Sequence, residues 1–229
     1  TEQWAATLLG FWRTFGGRWV NPPDAVMLAT DKLGQLRQAA AAGWPVPETL
    51  VTNDPDQARS FVGSHPAGVV AKAVRRLTFE RDGTRYLAWT RRLRDEDAAV
   101  LDAVRAAPCM LQAYVPKRIE VRVTVVGERI FAAELHSQDV AEARDDFRRA
   151  IARIPILPHA LPGDVAARSR AVVEALGLVS AAIDIAVTPD GEYVFLEVNA
   201  PGSWAFVQER TELPISAAVA DLLLGHRGT

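Results

Sequence analysis

Cysteine is almost missing from this sequence: Cys109 is the single one among 229 residues. One thiol cannot close an internal disulfide or build a cysteine-rich metal cage, and a reducing, cytoplasmic setting fits such a chain best. Long apolar runs are missing as well. None approaches the roughly 20 residues that a membrane span requires, and residues 1–9 lack the basic region and apolar core of a secretion signal. Neither sign of charge dominates: 26 Lys and Arg against 28 Asp and Glu leave a net charge of −2, so no basic field points to nucleic acid or an anionic membrane. Internal repeats and low-complexity tracts are absent. So are the glycine fingerprint of dinucleotide-binding folds and the P-loop signature, which means that a nucleotide, if bound, is held by another grip. What is there is 49% hydrophobic and 24% charged residues, over a length sufficient for one large domain or two lobes.

Pro22-Pro23 breaks an aromatic-rich start (Trp4, Phe11, Trp12, Phe15, Trp19). Leu28, Leu33 and Leu36 recur at helical spacing and predict one helix over 24–43, with Gly43 as its stop. Trp44-Pro45-Val46-Pro47 leads to a strand at 49–52, and Asn53-Asp54-Pro55 caps a helix that runs to about Val62. A strand at 68–74 carries Lys72. Charged, irregular sequence follows over 75–85, then a strand at 86–90, a helix at 95–106 and a short strand at 110–115. Segments 120–126 and 129–136 alternate on either side of Gly127-Glu128, as a hairpin does. Residues 137–159 show no period and read as a loop with a helical piece. An amphipathic helix at 164–176, strands at 181–187 and 192–199, and a helix at 213–224 complete the chain. Helices mixed with hairpin-joined strands indicate α+β rather than a parallel doubly wound sheet.

The last two strands carry the most chemistry. Strand side chains alternate faces, so Ile183, Ile185 and Val187 form one apolar row and Val194, Leu196 and Val198 another. Burying both rows together brings Asp184, Glu197 and Asn199 to the opposite face, where three oxygen ligands suit a hard cation. A glycine bulge in the Pro189-Asp190-Gly191 turn would shift the register and misplace Asp184. The cost of exposing large side chains, roughly 1.5–3 kcal/mol each, argues for the matched rows. A hairpin whose polar face simply meets water is the alternative, although Tyr193 and Phe195 on that face would be odd for a solvated surface.

Elsewhere, Lys72 lies in Val69-Val70-Ala71-Lys72-Ala73-Val74 and needs an anion or an exit to solvent. Phosphate would serve, and so would an edge-strand position. Met110-Leu111-Gln112-Ala113-Tyr114-Val115-Pro116-Lys117 could be a hinge strand whose backbone reads an adenine edge. Glu120, Arg122 and Thr124 share one strand face, either as a structural ion pair or, for Arg122, as a partner for transferring phosphoryl charge.

Taken in order, Lys32, Lys72, Gln112 to Val115, Glu120 and Arg122, Asp184, and Glu197-Val198-Asn199 resemble the ATP-grasp superfamily, and the likeness extends over essentially the whole chain from Asn21. Narrower likenesses lie in Asn21-Pro22-Pro23, Thr52-Asn53-Asp54-Pro55, Gln112 to Lys117, His136-Ser137-Gln138-Asp139, Asp146-Phe147-Arg148 and Asn199-Ala200-Pro201-Gly202-Ser203-Trp204. These resemble the graspetide (microviridin-type) maturases, which join side chains of a ribosomal precursor peptide as macrocyclic esters or amides.

The resemblance implies an ATP-grasp fold with a central subdomain at 24–115 and a C-terminal subdomain at 116–229, entered by a segment at 1–23. It implies ATP and Mg2+ as cofactors. Lys32 and Lys72 would hold phosphates, Gln112, Ala113, Tyr114 and Val115 adenine, and Glu120 would lie near the ribose. Arg122 would steady the acyl-phosphate step, and Asp184, Glu197 and Asn199 would hold magnesium. Asp146 and Arg148 would line the acceptor side, with Arg148 counted among the catalytic residues beside Lys72 and Arg122. A precursor peptide, leader and core, is the implied partner, with no nucleic acid or membrane, and a homodimer is plausible. Ala200 stands where those maturases have proline, and the chain starts just before the central region, so the small N-terminal subdomain that such enzymes carry is expected to be absent. A ligase for free amino acids or protein tails, and a nucleotide-responsive binding module, are the competing readings.

Overall fold

The computed structural model describes residues 2–74, 78–87, 90–94 and 97–225. The helices are α1 (Glu2–Thr14), α2 (Pro23–Leu28), α3 (Lys32–Ala41), α4 (Pro55–Gly63), α5 (Ala98–Ala103), α6 (Gly163–Ala175), α7 (Ala205–Thr211) and α8 (Ile215–Leu224). The strands are β1 (Thr49–Thr52), β2 (Val69–Lys72), β3 (Thr78–Arg81), β4 (Thr84–Leu87), β5 (Arg91–Arg92), β6 (Cys109–Ala113), β7 (Ile119–Val126), β8 (Arg129–Leu135), β9 (Ile156–Pro158), β10 (Ser180–Val187) and β11 (Tyr193–Asn199). They form a four-stranded sheet in the order β1-β6-β2-β5, a five-stranded sheet in the order β11-β10-β7-β8-β9, and the hairpin β3-β4. Neighbouring strands run antiparallel, so the architecture is α+β.

The five-stranded sheet is covered on both faces. Val121, Val123 and Val125 of β7 pack with Ile183, Ile185 and Val187 of β10 against α2, α3 and α6, through Ala25, Leu36, Ala39, Val165 and Val172. The other face packs Val126, Ala133 and Leu135 against α7, α8 and the 137–154 segment. With both faces packed against other elements, the polar groups buried on the sheet must find partners inside the protein. A separate core, built on Phe61, Val69, Leu101 and Leu111, supports the four-stranded sheet.

Several elements differ from the sequence reading. The single helix expected over 24–43 is two, broken at residues 29–31. Asp31 caps α3 by accepting from the Leu33 N–H at 3.0 Å, and the Thr30 hydroxyl donates to the Met27 carbonyl at 2.7 Å. The leucine spacing continues across the break and hides these cap residues. Lys32 is therefore in the first turn of α3, not in mid-helix. The irregular stretch at 75–85 contains the β3-β4 hairpin, which turns at Asp82-Gly83 with φ of 51° and 70°. That Asp-Gly pair is a strong hairpin signal that the surrounding charge obscured. The strand expected at 86–90 begins at Thr84, and its residues 88 and 89 lie outside the described residues, as do 95 and 96 of the helix expected at 95–106. Residues 137–159 hold three short 3-10 turns followed by β9, and α7 precedes the final helix.

The β10-β11 register is the most consequential difference. Val187 pairs with Tyr193 and Ile185 with Phe195, but Asp184 pairs with Glu197, so Leu196 is an extra residue in β11. Directly opposite residues share a face, and a one-residue shift exchanges the faces. Near the turn Tyr193 and Phe195 therefore join the apolar row of β10, and Phe195 is fully buried beside Trp44, with ring centroids 6.1 Å apart. Beyond the bulge Glu197 and Asn199 emerge beside Asp184 and Ala182. The expected rows of Val194, Leu196 and Val198 were thus wrong in composition, because a bulge lies in the strand itself. That bulge also explains the two aromatic residues that looked out of place.

This register ranks two substitutions. Phe195→Ala should cost about 3–5 kcal/mol and Leu196→Ala less than about half of that, as read by chemical denaturation. The reverse order, which a flat hairpin would give, would contradict the bulge.

Candidate functional site

Alternation along β7 places Glu120, Arg122 and Thr124 on the face opposite its core valines, and all three are buried. Asp184 lies directly across from Arg122 on β10. The Arg122 Nη1 donates to Asp184 Oδ1 at 2.6 Å and Nη2 to the Ser203 carbonyl at 3.3 Å. The Asn199 Nδ2 donates to Asp184 Oδ2 at 2.8 Å and to Glu197 Oε1 at 3.4 Å. One amide nitrogen thus lies within reach of an oxygen from each carboxylate. Arg122 Nε, Thr124 Oγ1 and Glu120 Oε1 of this site are buried without a hydrogen-bond partner among the described residues.

Cations converge on these carboxylates from other elements. Lys32 at the start of α3 has its Nζ 3.8 Å from Glu197 Oε2, and Arg148 Nη1 lies 4.0 Å from Glu197 Oε1. Arg148 follows Asp146, whose carboxylate caps the 3-10 turn Phe147–Ala150 and accepts from Arg148 Nε at 2.7 Å. That pairing raises the already high pKa of the guanidinium. From β2, Lys72 donates to Gln112 Oε1 at 2.6 Å, and Gln112 in turn donates to the Thr49 hydroxyl at 2.9 Å. Lys117 Nζ forms an ion pair with Glu120 Oε1 at 2.9 Å, with both side chains 7% exposed.

The resulting cleft lies between the two sheets and is lined by Lys72, Lys117, Glu120, Asp146, Arg148, Asp184 and Glu197. It continues into a second recess lined by Val70, Gln112, Ala113, Tyr114, Val115 and Leu196. Burial lowers the Lys72 pKa to about 8, although Glu197 supports its charge. Burial pushes the Asp184 carboxyl up to about 6, against Arg122 and with help from Glu197. Burial also works against Glu197, yet Lys72, Lys32 and Arg148 together hold it below its ordinary value.

Every site residue expected from the sequence lies in or beside this cleft, with Arg122 behind Asp184 and Lys32 behind Glu197. The hinge is narrower than expected: the Ala113 N–H is taken by the Glu48 carbonyl and the Tyr114 N–H by the Gly68 carbonyl, each at 2.9 Å. Lys117 and Leu196 line the site without having been singled out. Lys117 was signalled by its three-residue spacing from Glu120, whereas Leu196 depends on the bulge. Among the described residues no group of three or more His, Cys, Asp or Glu could hold a metal. Asp184, Glu197 and Asn199 offer two carboxylates and an amide instead. Both carboxylates turn an oxygen toward the same Asn199 Nδ2; carboxylate oxygens placed this way suit a hard cation, while the amide presents its nitrogen to them.

No family model matches the chain. Among solved structures it is similar to a RiPP-associated ATP-grasp ligase of Chryseobacterium gregarium in complex with ADP and a leader and core peptide, with a TM-score of 0.92 and 30% identity, over 99% of this chain and 69% of that one. It is also similar to the macrocyclase MdnB from Microcystis aeruginosa MRC, with a TM-score of 0.78 and 35% identity, over 97% of this chain and 68% of that one. A curated relative, a probable alpha-L-glutamate ligase of Enterobacter sp. (strain 638), is 28% identical over 223 residues, 90% of this chain and 67% of its own length.

The buried Arg122–Asp184 pair yields a stability test. Arg122→Met should cost about 3–5 kcal/mol, because Asp184 is left as an uncompensated buried charge, and adding Asp184→Asn should recover most of the loss. Denaturation of the single and double variants checks this; equal loss in both would show that the two side chains do not act as a pair.

Proposed function

Because the chain belongs to the RiPP-associated ATP-grasp ligases, we propose that it uses ATP and magnesium to activate Asp or Glu side chains of a ribosomal precursor peptide and to close ester or amide crosslinks between its side chains. The observation that carries this reading is the cleft between the sheets, where Lys72, Lys117 and Arg148 face Asp184 and Glu197. Such a mixture suits a triphosphate and its metal better than it suits an apolar ligand. The structural likeness to a ligase in complex with ADP and a leader and core peptide supports both the nucleotide and the peptide.

In this reading the four-stranded sheet, with residues 24–115, supplies Lys72 and the hinge, and residues 116–229 supply the carboxylates. Lys32 and Lys72 hold phosphate oxygens, and Gln112 to Val115 border the adenine with Glu120 near the ribose. Asp184, Glu197 and Asn199 hold magnesium, which when bound offsets charge on the phosphates. Arg122 steadies the charge that develops as the peptide carboxylate takes a phosphoryl group, and its buried, unpaired Nε is suited to that task. Asp146 orients Arg148 toward the acceptor side. A hydroxyl or amine of the same peptide then displaces phosphate, at the high effective concentration that one chain confers. No helix among the described residues is long and apolar enough to cross a membrane, and a cytoplasmic homodimer belongs to the same proposal.

Similarity to a probable glutamate ligase favours a second reading, transfer to free amino acids. Mass spectrometry of a cognate precursor incubated with the protein, ATP and magnesium separates the two. The peptide ligase should produce ADP and a loss of about 18 Da per ring, one water for each bond formed. ADP without mass loss in the peptide would favour the amino acid ligase, and AMP would contradict both.

Nucleotide affinity should also follow the charge of Lys72. A lysine with a pKa near 8 is charged below that value and neutral above it, so ADP binding measured without magnesium should weaken as pH rises through 8. Lys72→Met should bind weakly and show no such dependence. A flat profile for the unaltered protein would exclude Lys72 from the phosphates.

A further inference from the structure

An edge strand presents unpaired backbone groups that must be covered. β11 is an edge of the five-stranded sheet. At Val198, between Glu197 and Asn199, both outward backbone groups are taken by one side chain. The Val198 N–H donates to Gln35 Oε1 at 2.8 Å, and Gln35 Nε2 donates to the Val198 carbonyl at 2.9 Å. The same Nε2 donates to the Ala29 carbonyl at 2.6 Å. Gln35 is 4% exposed. An amide has two donors and one acceptor oxygen, and here the backbone partners dictate its orientation. Reversed, it would set its oxygen against two carbonyls and its nitrogen against an N–H.

Three features make this contact more than packing. Gln35 is one turn after Lys32 on α3, and Lys32 reaches Glu197 at 3.8 Å. The residue it grips is flanked on both sides by the carboxylate and amide of the site. The third bond, to Ala29, ties in the turn that separates α2 from α3 and sets where α3 begins. An apolar side chain of the same length would fill the space but leave three buried backbone groups unpaired.

We propose that Gln35 is a positioning residue of this site: its amide replaces a neighbouring β-strand and fixes the spacing between Lys32 on α3 and the Glu197–Asn199 edge. The proposal rests on the assignment of Glu197 and Asn199 to magnesium made above. Gln35 touches none of the reactants and acts through Val198.

Gln35→Met tests it, with folding checked by denaturation and the Val198 amide followed by hydrogen exchange. Calorimetric titration of magnesium into the protein saturated with ADP should show affinity reduced roughly tenfold or more, the loss typical when support for a metal ligand is removed. ADP affinity without magnesium should change far less, and the Val198 amide should exchange faster. Should Gln35→Met not fold, Gln35→Glu serves the same comparison, since it keeps the acceptor for the Val198 N–H and loses both donated bonds. Unchanged magnesium affinity in a folded variant, or equal losses with and without magnesium, would overturn the proposal. Absence of magnesium-dependent ADP binding in the unaltered protein would instead overturn the functional reading on which it rests.

Discussion

Arg122 and Asp184 face each other across β7 and β10 at 2.6 Å, both almost fully buried. Two charges this deep are tolerable only while each has the other, and breaking such a pair costs more than forming it gains. The pair therefore constrains the β7-β10 register, which in turn dictates the side of the sheet on which β11 must present Glu197 and Asn199. The extra residue at Leu196 meets that constraint without sacrificing the core: Phe195 stays among the valines and isoleucines, and two residues later Glu197 emerges beside Asp184. Bulges re-aim side chains next to active sites in this way.

Around that pair the cleft is electrostatically mixed rather than uniformly basic. Lys117 is tied to Glu120, Arg148 to Asp146, and Lys32 leans on Glu197. Lys72 is different, because its direct partner is the neutral Gln112 and burial lowers its pKa to about 8. A buried lysine bonded to a neutral amide is prepared to accept an anion. In the proposed reading a magnesium–polyphosphate complex would supply that anion, with its cation on the carboxylates opposite.

Much of this was legible in the residues. The alternation of Val121, Val123 and Val125 with Glu120, Arg122 and Thr124 predicts the faces of β7, and the structure keeps them. The grouping of Asp184, Glu197 and Asn199 was also reached, but through the wrong apolar row. A bulge is set by the partner strand, and its one trace in the period-two pattern was the pair of aromatic residues, Tyr193 and Phe195, on the polar face. The break between α2 and α3 was obscured because leucines at 28, 33 and 36 keep helical spacing while Asp31 restarts the helix locally. Gln35 could not be found from sequence at all, since its bonds to Val198 span 163 positions and a lone glutamine in a helix is ordinary.

Asp184, Glu197 and Asn199 are the residues proposed above to hold the metal of a bound nucleotide. Anomalous scattering from manganese in crystals grown with ADP locates that metal directly. A single strong peak is expected among the side-chain oxygens of these three residues, with Asp184 turned partly away from Arg122. ADP bound in the cleft with the manganese peak elsewhere, or with none, would contradict that assignment.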